Sequence, residues 1–212
     1  MSENRRLKQL LFILLMLVTG PGAVMAQKKP KGKDQLVTIS TPQGDMKLVL
    51  FDDTPQHKAN FLKLAREGFY NGTTFHRIVQ GFMIQGGDPN SKNGNSSQVG
   101  TGNPGYTIPA EIKPEHKHVR GAVAAARMGD HMNPQKESSG SQFYIVENHR
   151  GTPMLDEAYT VFGQVVDGLD VIDKIAAQPK GARDRPISAI TMEVKVEEVK
   201  KKKIAKKYKY TY

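Results

Sequence analysis

Between Thr73 and Asp88 the chain reads TTFHRIVQGFMIQGGD, an apolar strand pair that carries a single arginine among phenylalanine, isoleucine, valine and methionine. A guanidinium keeps its charge at any physiological pH and is costly to bury. Arg77 therefore needs a carboxylate partner or an open cleft, and the fold must supply one of the two. An ion pair at the surface is the plainer outcome for an isolated arginine in a strand. A cleft makes the residue a candidate for function.

The rest of the chain is mostly strand-like. Gln35 to Ser40 and Met46 to Phe51 flank the turn sequence Thr41-Pro42-Gln43-Gly44, which predicts a hairpin. After Thr54-Pro55, apolar residues recur at spacings of three and four through His57, Phe61, Leu62, Leu64 and Ala65. That pattern predicts a helix capped by Thr54, with Pro55 in its first turn and Gly68 ending it. Further strands are expected at 119–126, 142–146, 161–166 and 187–199, with a second helix over 169–177. The Gly/Asn/Ser-rich segment from Asp88 to Gly105 is long for a loop, so it is expected to be packed or to serve a purpose. Many strands and two helices in this order suit a closed antiparallel barrel with a helix at each end, since closure removes exposed strand edges.

With 212 residues, 38% hydrophobic and 25% charged, the chain supports one well-buried core. Residues 1–26 are set apart from it. Arg5, Arg6 and Lys8 precede the apolar run Leu10 to Val18, and Val24-Met25-Ala26 ends in small residues, the order of a secretory signal. Cleavage is expected after Ala26, giving a periplasmic or extracellular protein; an uncleaved anchor is the alternative. The chain has no cysteine, which excludes disulfides and thiolate chemistry. The formal net charge of +10 gathers in a basic leader, 27–34, and in a Lys/Tyr tail, 199–212. That tail is expected to be a solvated extension. A contact with a membrane surface or envelope polymer is the sharper alternative, and no nucleic-acid partner is expected of an exported protein.

The arginine-bearing run is similar to the central motif of the cyclophilin family of peptidyl-prolyl isomerases, F-H-R-x-x-x-G-F-M-x-Q-G-G-D, with every fixed position filled from Phe75 to Asp88. A second block, Ser139-Gly140-Ser141-Gln142-Phe143-Tyr144-Ile145, resembles the family's G-S-Q-F-F-I. A third, Leu155-Asp156 followed by Val161-Phe162-Gly163, resembles its L-D…V-F-G. The resemblance spans residues 35–198 and implies an eight-stranded β-barrel capped by two α-helices, a monomer acting on proline-containing polypeptides without metal or cofactor. It also implies site residues: Arg77, Phe82 and Gln85 for catalysis, with Met83, Tyr144 and Leu155 completing a pocket for the proline ring. Ala126, Arg127, Gln142 and Tyr159 would line the groove for flanking residues. Where the better-known eukaryotic pattern has a tryptophan associated with cyclosporin binding, this chain has Met154. It has Tyr144 for a phenylalanine, Tyr159 for a histidine and Arg127 for an asparagine. The hydroxyl of Tyr144 must then find a partner.

Rotation about an X-Pro bond needs no nucleophile. It needs a site that favours the twisted, deconjugated amide over both planar forms. A fixed arginine can donate to the freed nitrogen lone pair or to a carbonyl oxygen without changing protonation state. Other chemistries fit less well. Ser141 lacks a G-x-S-x-G elbow, and the glycines around Thr101 to Gly105 lack the lysine of a phosphate loop. His116 and His118 alternate as strand-face metal ligands do, but an exposed polar segment is the expected reading. His76 is expected to be a packed, hydrogen-bonded core residue, and Gly86-Gly87 a simple turn.

Overall fold

The computed structural model describes residues 31–93 and 97–212, so the expected signal segment and the first part of the expected basic leader lie outside the described residues. Strand β1 (Lys33–Thr41) starts two residues inside the expected leader and turns into β2 (Gly44–Leu50). The turn is held by Thr41, whose hydroxyl donates to the Gly44 carbonyl at 2.9 Å and accepts the Gln43 N–H at 3.1 Å.

Helix α1 (Pro55–Arg66) has the proline in its first turn and buries His57, Phe61, Leu62, Leu64 and Ala65, the face set by the apolar spacing. Its cap differs from expectation. The Thr54 hydroxyl donates back to the Phe51 carbonyl, and the first helical N–H groups are met by a distant carboxylate. Glu111 accepts from the Gln56 and His57 N–H groups at 3.1 and 3.0 Å. A carboxylate at a helix N-terminus gains both charge-assisted bonds and the helix dipole, which a threonine hydroxyl cannot match.

The remaining elements are β3 (Arg77–Val79), β4 (Met83–Gly86), β5 (Thr107–Ile108), β6 (Ala122–Ala125), β7 (Ser138–Ser139), β8 (Phe143–Val146), β9 (Val161–Asp167), α2 (Leu169–Ala176), β10 (Glu193–Lys200) and α3 (Lys201–Tyr208). Eight strands form one antiparallel sheet in the order β10-β1-β2-β9-β6-β8-β4-β3, and β5 pairs with β7 apart from it. The two edges of the large sheet are laced by the segments that precede them. Thr74 bridges Thr191, the Phe75 N–H donates to the Ile190 carbonyl at 2.9 Å, and the Met192 N–H donates to the Thr73 carbonyl at 2.8 Å. The strand expected from 187 begins at Glu193, and of the residues before it Ile190, Thr191 and Met192 serve in this lacing.

One face of the sheet carries the main core: Val37, Ile39, Met46, Leu48 and Leu50 pack with Phe61, Tyr70, Phe75, Phe143 and Phe162 and with Val171, Ile172 and Ile175 of α2. Phe61 meets Tyr70 at 4.8 Å and Phe143 edge-on at 5.5 Å between ring centroids. Gly87, expected in a plain turn, is instead a close-packing position: its φ is +83° and a Cβ there would lie 2.3 Å from the Ser141 carbonyl oxygen.

The C-terminal segment corrects the expectation of two helices and a solvated tail. Leu36 and Val49 are out of phase with the core-facing residues of their strands, so they point to the other face of the sheet. There α3 lies over them, and its Ile204, 0% exposed, closes a small core with Val166, Val199, Tyr208 and Tyr210. Burying an isoleucine in this way contributes about 1.5–3 kcal/mol.

Candidate active site

A second apolar cluster lies on the outer face of β4, β6 and β8, formed by Met83, Ala122, Ala124, Tyr144, Val146 and Val161 with Phe82, Ala126, Leu155 and Tyr159 around it. It floors a cavity of about 150 Å³. Drug-sized sites run to roughly 300–1,000 Å³, so this one suits a single small ring. Its lining is Arg77, Phe82, Met83, Gln85, Ala126, Arg127, Tyr144, Leu155 and Tyr159. The sequence resemblance names these same nine residues, which come from three strands, β3, β4 and β8, and from the three segments that follow β3, β6 and β8. The tenth, Gln142, stands beside Gln85 and borders the adjoining groove with Gly102, Asn103 and Met128.

Arg77 and Gln85 are paired across the β3–β4 hairpin, so their side chains share one face. The nearest charged partner of Arg77 among the described residues is Asp184, with Nε 3.8 Å from Oδ2 and the arginine side chain 42% exposed. That is a loose contact beyond hydrogen-bond range. Asp184 itself is held by Lys180 at 2.7 Å, which, with a smaller contribution from Arg77 and against desolvation, keeps its carboxyl below the usual range. The guanidinium thus stands at the rim of the cavity and is not locked in an ion pair.

Gln85 donates one amide hydrogen to Gln142 Oε1 at 3.0 Å, and Gln142 Nε2 donates to the Gly102 carbonyl at 2.7 Å. The long loop expected to be packed is packed in this way. A further anchor is Asp88, fully buried, whose carboxylate accepts from the Asn90 N–H at 2.7 Å and from the Gly100 N–H.

Tyr144, Tyr159 and Arg127 build the opposite wall. Tyr144 and Tyr159 meet edge-on at 5.8 Å, and the Arg127 guanidinium covers the Tyr159 ring at 4.5 Å. Arg127 is fixed by donating to the Ala158 and Met128 carbonyls at 2.8 and 2.9 Å and by pairing with Asp130 at 2.6 Å. It is a wall and not a mobile cation.

Sequence reasoning missed His118. Expected on an exposed segment, it is buried with its ring between Asp156 and Tyr144. Nδ1 lies 2.8 Å from Asp156 Oδ1, and Nε2 lies 2.9 Å from the Tyr144 hydroxyl. The carboxylate fixes the tautomer with the proton on Nδ1, so Nε2 accepts from the tyrosine. Burial holds the imidazole below its ordinary pKa, outweighing Asp156. The same burial pushes the Tyr144 hydroxyl upward, so both groups stay neutral. Asp156 follows Leu155 in the turn Pro153–Leu155, so His118 ties two of the pocket's walls together. The visible signal was the hydroxyl of Tyr144, which had to have a partner.

His57 is held by the same logic at a distance from the cavity: Nδ1 donates to Glu111 at 2.7 Å and Nε2 accepts from the Ser138 hydroxyl at 2.9 Å. His76 is buried as expected, but its Nδ1 has no partner among the described residues.

The family profile described as "Cyclophilin type peptidyl-prolyl cis-trans isomerase/CLD" matches residues 36–197. The chain is 39% identical over 158 residues to the peptidyl-prolyl cis-trans isomerase CYP18-1 of Arabidopsis thaliana, covering 74% of this chain and 91% of that one. Over 117 residues it is 46% identical to peptidyl-prolyl cis-trans isomerase B of Bacillus subtilis, covering 55% of this chain and 71% of that one. It spans only 37% of a putative bifunctional phosphatase/isomerase of Streptococcus pyogenes and 29% of an isomerase-like protein of Rhizopus delemar. A cyclophilin of Cryptosporidium parvum, solved in the presence of the dipeptide Ala-Pro, superposes with a TM-score of 0.67 at 32% identity, covering 76% of this chain and 98% of that one. With its fold, its arginine-rimmed cavity and these relatives in agreement, the chain belongs to the cyclophilin-type peptidyl-prolyl cis-trans isomerase family.

Proposed function

We propose that the protein accelerates cis–trans rotation of X-Pro bonds in exported polypeptides during their folding, with Arg77 stabilising the twisted amide. The observation that carries this reading is Arg77 at the rim of a cavity sized for one ring, held by no strong acidic partner. The planar amide is protected by a barrier of about 18–20 kcal/mol. Lowering it by about 8 kcal/mol accelerates rotation roughly a million-fold. Only contacts stronger in the twisted state contribute. In that state the imide nitrogen regains a lone pair, to which a guanidinium can donate, and the walls of Phe82, Met83, Tyr144 and Leu155 hold the pyrrolidine ring while the acyl side turns. Gln85 keeps its second amide hydrogen for a substrate carbonyl.

The Ala-Pro dipeptide used with the Cryptosporidium relative supports a proline-containing substrate here. Export rests on the order of charge, apolar run and small residues in 1–26. The bonds lacing residues 73–75 to 190–192 favour reading the sheet as a closed barrel, and the chain as a monomer. The test is the cis-to-trans conversion of a short proline peptide followed with and without the protein. Catalysis at nanomolar to micromolar enzyme is expected; an uncatalysed rate at saturating protein, with peptide binding retained, would leave a holding module in its place.

A further inference from the structure

The helix at the C-terminus is not needed to build the cavity. It covers the outer face of β1, β2 and β9, while the cavity lies on β4, β6 and β8. What α3 does is fix a charge array. Its sequence, KKKIAKKY, has no acidic residue, and Lys202, Lys203, Lys206 and Lys207 are all exposed with Lys209 just beyond. Lys202 and Lys206, and Lys203 and Lys207, are four apart, so like charges stand one above the other and repel. Ile204 in its apolar socket and Lys201, paired with Asp52 at 2.9 Å, hold the helix down against that repulsion.

The acidic groups nearby are largely spent. Asp52 serves Lys58 and Lys201, Asp34 is buried on Lys58, and Glu198 is paired with Lys33; Glu193 and Glu197 lie exposed along β10. The chain also enters at this same pole. Lys33 stands opposite Lys200 in the β1–β10 ladder, and the Lys201 N–H donates to the Gly32 carbonyl at 3.0 Å. Lys31, exposed and next to Gly32, therefore adds its charge beside α3.

We propose that this pole, α3 with the start of β1, is a docking surface for an anionic lipid bilayer. A fixed array of lysines with its apolar residues turned inward suits adhesion to a charged surface by Coulomb attraction. The bilayer also relieves the repulsion stored along α3. Single-stranded nucleic acid fits less well, because stacking needs open aromatic faces and Tyr208 and Tyr210 pack into the Ile204 cluster. Docked this way, the cavity on β4, β6 and β8 stays open to polypeptides near the membrane.

The test uses the full chain with mixed phosphatidylglycerol–phosphatidylcholine vesicles, pure phosphatidylcholine vesicles, and polyphosphate in solution. Glutamine has nearly the helix propensity of lysine, so the fourfold variant Lys202→Gln, Lys203→Gln, Lys206→Gln, Lys207→Gln keeps α3, which circular dichroism checks. At roughly fivefold per lysine, its partitioning onto anionic vesicles is expected to fall by about two to three orders of magnitude, with proline-peptide turnover unchanged. Binding of the unmodified chain is expected to weaken steeply with salt. Equal partitioning of the two proteins, equal binding to neutral vesicles, or binding to polyphosphate with none to vesicles would each overturn the proposal.

Discussion

Replacing Tyr144 by phenylalanine separates what the hydroxyl does for stability from what the ring does for the cavity. The hydroxyl donates to Nε2 of His118, whose side chain is 0% exposed. In Tyr144→Phe that buried acceptor loses its donor. A buried polar atom left unpaired costs about 1–3 kcal/mol, offset in part because the phenylalanine no longer desolvates a hydroxyl. A net loss of about 1–2 kcal/mol is therefore expected. For a chain of this length about 2–4 °C accompanies each kcal/mol, so the melting midpoint should fall by roughly 2–8 °C. Proline-peptide turnover should hardly change, because the hydroxyl is spent on His118 and the ring stays against Met83 and Tyr159. Urea melts of Tyr144→Phe, His118→Leu and the double variant complete the cycle, with a coupling of about 0.5–3 kcal/mol expected. An unchanged melt, or strict additivity of the two substitutions, would refute the reasoning.

Two further outcomes follow from the packing and from the buried histidines. Ile204→Ala should cost about 2–5 kcal/mol, read as an earlier urea midpoint or as separate early loss of α3, while proline-peptide turnover in buffer persists. His57, His76 and His118 are each held below the ordinary value of 6.5, chiefly by burial. Unfolding lets them take up protons, so their contribution to stability is complete above pH 6.5 and is lost as pH falls from there towards their folded values. The slope is at most about 1.4 kcal/mol per pH unit for each histidine; a stability that is flat or rising between pH 6.5 and 5 would contradict their neutral burial.

The sheet and the cavity were legible because periodicity and motif speak about near neighbours and fixed spacings. Arg77 and Gln85 are eight residues apart on one hairpin, and their shared face follows from strand alternation. The pairing of Glu111 with the N-terminus of α1 was not legible: the partners are 55 residues apart, and a nearby threonine offered a more local cap. His118 was misplaced for a related reason. Its neighbours Lys117 and Arg120 suggest solvent, and only the unpaired hydroxyl of Tyr144 hinted at a partner within. The third helix had a readable sign after all. Leu36 beside Val37, and Val49 between Leu48 and Leu50, make both faces of a hairpin apolar, and a sheet face of that kind must be covered. A lysine-rich composition drew the tail toward solvent, while its one isoleucine decided where it went.

The central claim is that a guanidinium at the rim of the cavity prefers the twisted amide. It is tested most directly by comparing proline-peptide isomerisation by the unmodified protein and by Arg77→Ala under identical conditions, with the melt of each recorded. Arg77 is partly exposed and loosely paired, so the variant should melt within about 1 kcal/mol of the parent. Its kcat/KM should fall by about two to three orders of magnitude, the scale of losing one electrostatic donor. Equal turnover by the two proteins would contradict the account.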